Sequence, residues 1–241
     1  MGHQNVRLSS AAAEDLELFC EYTDVEPDVE KAGKVFRTVK RRMGEEAALM
    51  IAYASACPHD EKADAVYRMI VIGLHLPDGR EICHMLTRPE VRLISELRKK
   101  AWHIAHRYMG FVRFRELENG VLFSEIEAEA DILAMIAPHF ADRLPGENWA
   151  ILDRNRQKAA VHPAGKNWFI LEEVDEEKLS LPCLSREEPY FQELWRKFHR
   201  AIGIRERENM ALQQAFLPLK FRNVMTEFRE TCGQKQTYKQ P

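Results

Sequence analysis

The sequence predicts an α+β fold: a single domain in which an antiparallel sheet of about five strands is flanked by N-terminal and C-terminal helical segments. Three observations predict it. Helical spacing of apolar residues dominates up to residue 109, β-rich runs and turn signals cluster between 111 and 174, and helical spacing returns from 186 to 228. Strands gathered together, with helices segregated to either side, give α+β rather than alternating α/β.

The first helical segment opens at Pro27-Asp28, with Val35, Phe36 and Val39 as its inward stripe, and Gly44 marks a break. Helices over Ala47–Ala56 and Ala63–Leu74 follow, and Pro77-Asp78-Gly79 reads as a turn. Thr87-Arg88-Pro89-Glu90 has the capping-box pattern and starts a long amphipathic helix. Ile94, Leu97, Ala101, Ile104 and Tyr108 recur at three and four and form its core stripe. Arg92, Glu96, Lys99, His103 and His106 lie opposite, flanked by Arg98, Lys100 and Arg107.

Asn119-Gly120 suits a two-residue turn, because both central positions then need positive φ. It joins Phe111–Glu118 to Val121–Glu127 as a hairpin. In that register Arg113 faces Ile126, Arg115 faces Ser124, and Val112, Phe114, Val121 and Phe123 form the core face. Asp131 is the expected N-cap of a helix through Leu144, kinked or restarted at Pro138. Strands are expected at Asn148–Asp153, Lys158–His162 and Asn167–Val174. Ser185-Arg186-Glu187-Glu188 repeats the capping-box pattern, before a helix expected to bury Phe191, Leu194, Trp195, Phe198 and Ile202. A further helical piece over Arg205–Phe216 is broken by Pro218, and segments 1–26 and 229–241 read as flexible. The single domain is thus expected over 27–228, with helices at 28–109, the sheet region at 111–174 and C-terminal helices at 186–228.

The 241 residues are 45% hydrophobic and 30% charged with a net charge of −3, so any nucleic-acid contact must be local rather than a property of the whole surface. Such a patch exists. From Arg92 to Arg115 there are seven Lys or Arg and one acid, Glu96. Arg113 and Arg115 read either as solvated or salt-bridged side chains or as an anion-binding surface of the sheet. Trp149, Trp168 and Trp195 fall in apolar patterns and are expected in the core. Five scattered cysteines, Cys20, Cys57, Cys83, Cys183 and Cys232, show no Cys-x-x-Cys spacing, which argues against a disulfide framework, a zinc ribbon or an iron–sulfur site. Reduced thiols, with no apolar run long enough to span a bilayer, make a cytoplasmic location and no membrane partner the expectation.

No phosphate-binding glycine loop and no Gly-x-Ser-x-Gly elbow occurs. His103 and His106 are one turn apart, but no third ligand accompanies them, so neither a metal nor a cofactor is expected. His139, Arg143 and Asp153 are the candidate catalytic trio. The histidine trades protons near neutral pH, the carboxylate orients it, and the arginine holds a phosphate oxygen. The same three residues also fit a helix-to-sheet hydrogen-bond network that only holds the fold together.

The segments EKAGKVF (Glu30–Phe36), AHRYMGFVRFRELENGVLFSEIE (Ala105–Glu127), PHFADRLPGENWAILDRNR (Pro138–Arg156), ELWRKF (Glu193–Phe198) and IRERENMALQQAFLP (Ile204–Pro218) carry a resemblance over about Glu26–Glu227. They resemble a bacterial family of unknown function associated with DNA metabolism and DNA repair. Its domain is encoded beside a radical-SAM protein, and in some members it is fused to a uracil-DNA glycosylase. Relatives carry an extra N-terminal segment beginning near a Tyr-Asp-Gly strand. They also continue the last motif with an Arg-Tyr-Trp run, where this sequence has Lys220-Phe221-Arg222. Motif positions here include His106, Arg107, Arg113, His139, Arg143, Trp149, Asp153, Arg207 and Asn209. The resemblance implies a DNA-linked setting, with DNA and the radical-SAM protein or the glycosylase as partners, and it brings no established catalytic residues. The sequence therefore points to a nucleic-acid-binding accessory module through Arg92, Lys99, Lys100, His106, Arg107, Arg113, Arg115 and Arg207. Two alternatives stand beside it. One is an enzyme acting on damaged or modified nucleic acid, with His139 and Asp153 as its acid–base pair. The other is a protein-interaction partner of a radical-SAM enzyme.

Overall fold

The computed structural model describes residues 3–9, 19–175, 183–204, 209, 212–213 and 216–228. These fall into two compact units. One holds the described residues up to Ile104 together with Glu129–Asp131, and the other holds Ala105–Ala128 and the described residues from Ile132 onward.

The first unit is helical. Helix α1 (Val29–Ala56) starts where the Asp28 carboxylate accepts the Lys31 N–H at 2.9 Å, an N-cap that satisfies one orphan donor of the first turn. It breaks at Gly44, whose φ of 89° is left-handed and suits a residue without a Cβ, and the helix resumes at once. Val39 and Met43 are buried as the spacing requires, but Val35 and Phe36 are exposed. The inward stripe therefore begins only at Val39, one turn later than the pattern suggests. Helix α2 (Lys62–His75) follows, then a 3-10 helix at Gly79–His84. A Cβ on Gly79 would come within 2.5 Å of the Arg42 carbonyl, so only glycine fits this approach to α1. Helix α3 (Pro89–Phe111) runs from the first unit into the second, and Ile94, Leu97, Ala101, Ile104 and Tyr108 are buried along it as the period dictates.

The second unit contains the sheet. Its strands are β1 (Arg115–Glu116), β2 (Leu122–Ile126), β3 (Trp149–Asp153), β4 (Lys158–His162) and β5 (Phe169–Leu171), hydrogen-bonded in that order. The sheet is mixed rather than wholly antiparallel. β2 and β3 run parallel, because helix α4 (Leu133–Arg143) carries the chain back between them, while the other three pairs are antiparallel. α4 starts after Ile132 without a side-chain cap, so Asp131 is not its N-cap. It also continues through Pro138, which sits on its exposed side, without restarting.

The hairpin register differs by one residue from the two-residue expectation. The Leu117 N–H bonds to the Val121 carbonyl at 3.0 Å, and the Gly120 N–H bonds back to Leu117 at 2.8 Å. Only Gly120 has positive φ, at 75°. The loop is therefore the three residues Glu118-Asn119-Gly120, a tight turn closed by a left-handed glycine. Arg115 consequently pairs with Phe123 and lies on its face. A one-residue shift exchanges faces, which is why the expected arginine face and core face do not separate. The residues before Arg115 belong to α3 and its exit rather than to a long strand.

Both sheet faces are covered. Leu117, Phe123, Leu152 and Ala159 form one buried cluster. Ser124, Ile126, Trp149, Ile151, Asp153, Ala160 and His162 are buried on the other face. There the Phe140 ring of α4 meets Trp149 at 6.3 Å and Phe114 at 5.2 Å. His162 stacks on Trp149 at 5.1 Å and 8°, with its Nδ1–H donated to the Glu147 carbonyl. Helix α5 (Glu188–Ile202) follows the bridge Leu117–Leu184 at the outer side of β1. Two 3-10 turns, Leu219–Val224 and Thr226–Phe228, complete the described chain.

Candidate functional site

The candidate residues sit in three settings. The exposed side of α3 is the first. Within the first unit Arg92, Lys99 and Lys100 are exposed on one arc of the helix, opposite the buried stripe, and none of them is ion-paired among the described residues. The interior period of α3 forces this placement, since burying one side of an amphipathic helix leaves its charges in water. Trp102, three residues after Lys99, is also exposed although it is a large aromatic. It is the residue a reading of the three tryptophans in apolar patterns misses, and its signal was its position beside the basic arc rather than in the Ile94–Ile104 stripe. In the second unit the same helix presents His106 and Arg107. The Arg107 guanidinium lies over the Phe221 ring at 5.8 Å.

The hairpin arginines are the second setting, and both are committed to carboxylates. Arg115 Nη2 donates to Glu125 Oε2 at 2.8 Å, and Arg154 Nη2 donates to Glu125 Oε1 at 2.7 Å, so one carboxylate is held between two guanidinium groups. Arg113 donates to the Gly110 and Val112 carbonyls and to Glu227 Oε1, and its guanidinium covers the Trp195 ring at 5.4 Å. Of the two readings open for these arginines, the salt-bridged geometry is the one present. Glu125 and Glu227 are the acids that spacing alone did not reveal. An arginine on a strand that faces a core calls for such a partner. Arg207 lies outside the described residues.

The third setting is the trio. Asp153 is fully buried at the end of β3, accepting Arg156 Nη1 at 3.0 Å and the Asn155 N–H at 3.1 Å. Arg156 Nη1 and Asn155 Nδ2 both donate to the Ala128 carbonyl, at 2.8 and 3.1 Å. The carboxylate thus closes the turn 154–157 and ties it to the end of β2. His139 packs edge-on against Phe140, and its Nε2 is buried with no hydrogen-bond partner, so that nitrogen is bonded neither to Asp153 nor to any other described group. Arg143 is exposed at the C-terminal end of α4. Two further polar atoms, Ser124 Oγ and Trp149 Nε1, are buried without partners on the sheet face that carries α4.

The buried thiols Cys57 and Cys83 have raised pKa values, chiefly because burial disfavours the thiolate. Cys20 and Cys183 are exposed, and Cys232 lies outside the described residues. Among the described residues no cluster of three or more His, Cys, Asp or Glu could hold a metal ion. No helix among them is long and apolar enough to cross a membrane.

Fold and side chains define an α+β protein with an exposed basic helix face and a sheet whose polar residues are largely tied to one another. The family model described as a domain of unknown function, DUF4130, matches residues 60–227, and the chain belongs to that family. No curated protein and no solved structure matches the chain.

Proposed function

We propose that this protein is a nucleic-acid-binding accessory module of DNA metabolism or repair, working in the cytoplasm, which contacts phosphates through the basic face of α3. The observation that carries this reading is that Arg92, Lys99 and Lys100 project into solvent from one arc of a helix and are not ion-paired among the described residues. Unpaired, exposed cations on a rigid helix are the groups that displace counterions from a phosphate backbone. His106 and Arg107, exposed in the second unit, are kept as candidate contacts of that unit. Exposed Trp102 beside that arc supplies a flat surface on which an unpaired base can stack, and this favours single-stranded over double-stranded nucleic acid. Arg113 and Arg115 are kept as secondary contacts, because engaging a phosphate would first require them to leave Glu227 and Glu125. Partners consistent with this role are DNA and a radical-SAM protein or a uracil-DNA glycosylase.

Titration of fluorescently labelled single- and double-stranded oligonucleotides at low and moderate salt tests the reading. Binding to the single strand that weakens steeply with salt supports it. Absence of binding at low salt removes it.

A second reading has one observation in its favour, the buried His139 Nε2, a titratable nitrogen that no described group occupies. In it the protein is an enzyme acting on damaged or modified nucleic acid, with His139 and Asp153 as acid–base pair and Arg143 holding a phosphate. Turnover lost in His139→Ala at an unchanged melting temperature supports that role. A large loss of stability in the same variant assigns His139 to the fold instead.

A further inference from the structure

Helix α5 sits on its own unit the wrong way round for a soluble helix. Its anchored line is polar. Glu188 is buried and accepts the Glu116 N–H at 3.1 Å and Gln192 Nε2 at 2.8 Å, Trp195 Nε1 donates to Glu227 Oε2 at 3.0 Å, and His199 meets the Phe228 ring. Positions 188, 192, 195 and 199 form one stripe at helical spacing. The stripe that faces solvent is apolar: Tyr190, Phe191, Leu194, Phe198 and Ile202 are all exposed, with Trp195 at its margin. The sequence pattern expects Phe191, Leu194, Trp195, Phe198 and Ile202 to be buried; all five are exposed, and nothing among the described residues of the unit covers them.

We propose that a second copy of this chain covers this face, with α5 packed antiparallel against α5 of the other copy about a two-fold axis. Two features of the helix single out a second copy. The apolar pattern is symmetric about position 196: Tyr190 and Ile202, Phe191 and Ala201, and Leu194 and Phe198 stand at equal separations from it. An antiparallel two-fold contact therefore sets each of these residues opposite an apolar partner, which is the self-complementarity that an isologous interface needs. The exposed charges are also self-complementary. About that axis Glu193, three positions before 196 and held in its own helix by Arg196 and Lys197, falls beside Arg200, four positions after it, of the reversed copy, so an acid of one copy meets a base of the other. The size is sufficient as well. Six large side chains exposed at about half, each covering some ~100 Å², give roughly 600 Å² per copy before any polar rim is counted, near the ~800 Å² per partner of a stable interface. Monomeric proteins rarely leave so large an apolar patch uncovered.

The full chain is tested by sedimentation equilibrium and light scattering. The proposal expects twice the 28.1 kDa monomer mass. It expects Phe198→Glu and Leu194→Lys each to yield a folded monomer, since both side chains are exposed. A charge series adds a readout that general loss of apolar surface would not move. Arg200→Glu weakens dimerisation severalfold, and adding Glu193→Lys to it restores most of the loss. A wild-type chain that stays monomeric up to its solubility limit overturns the proposal, and so does a dimer that survives Phe198→Glu and Leu194→Lys. Oligonucleotide binding through α3 is scored separately, so a failed dimer and a failed nucleic-acid reading are told apart.

Discussion

Arg113 and Glu227 meet across 114 positions of sequence: Arg113 Nη2 donates to Glu227 Oε1 at 3.3 Å, with the Glu227 side chain only 4% exposed. The carboxylate's other oxygen takes the Trp195 indole N–H, and the Arg113 backbone N–H bonds to the Val224 carbonyl. A residue at the exit of α3 thereby fastens the final 3-10 turns and the middle of α5.

Removing the arginine leaves a buried carboxylate without its counter-charge, which is worse than replacing the pair. Arg113→Ala is expected to cost about 3 kcal/mol, and the double variant Arg113→Met/Glu227→Met is expected to recover much of it. Thermal melts of the three proteins check this. Equal destabilisation of single and double variants would refute the pairing argument.

Ser124 offers the opposite sign. Its hydroxyl is buried on the α4 face of β2 with no partner, so it bears the desolvation cost of a polar group and returns nothing. Ser124→Ala is expected to stabilise by about 1 kcal/mol, a rise of roughly 2–4 °C in Tm for a chain of this length. A fall in Tm would mean that the hydroxyl is satisfied by an ordered water instead.

Asp153 and His139 separate by stability. Asp153→Ala strands Arg156 and opens the turn 154–157, so a loss of about 3 kcal/mol is expected. Asp153→Asn, which keeps the acceptor for the Asn155 N–H, loses less. His139→Ala removes a ring with no hydrogen bond at Nε2 and is expected to shift Tm far less than Asp153→Ala does. Chemical denaturation with matched m-values measures all three.

The thiols give a pH prediction. Burial raises the pKa of Cys57 and Cys83 in the fold above the usual value of 9.0, so their contribution is intact below that pH. As pH rises through it, the unfolded chain ionises while the folded chain resists, and stability declines. Peptide-resolved alkylation at neutral pH should modify Cys20 and Cys183 quickly, and Cys57 and Cys83 only after denaturation. Prompt native-state labelling of Cys57 would contradict its burial.

Trp102 discriminates between forms of nucleic acid. If bases stack on it, Trp102→Ala weakens single-strand binding by about 1–3 kcal/mol and leaves duplex binding nearly unchanged. Equal losses on both would assign the tryptophan to the helix surface alone.

What the sequence makes legible follows from which physics is local. The interior stripe of α3 and the limits of β4 could be read because period and turn residues are properties of adjacent positions. The register of the first hairpin could not, because Asn119-Gly120 serves a two-residue turn and a three-residue turn ending in left-handed Gly120 almost equally well. The parallel pairing of β2 with β3 depends on where α4 returns the chain, which no local pattern encodes. The basic arc was legible as a count of charges. That Arg113 and Arg115 are consumed by Glu227 and Glu125 while Lys99 and Lys100 are not is a matter of tertiary neighbours. For α5, spacing identified the apolar stripe correctly, but spacing says which residues share a face and not whether this chain covers it.

The most direct measurement is the salt dependence of oligonucleotide affinity for the wild-type chain and for Arg92→Gln/Lys99→Gln/Lys100→Gln, three exposed changes that leave the core untouched. Phosphate contact through α3 predicts weaker binding in the variant at every salt concentration and a log–log slope shallower by roughly 2 to 3. An unchanged slope and affinity in the variant would contradict it, and the nucleic-acid role of this helix with it.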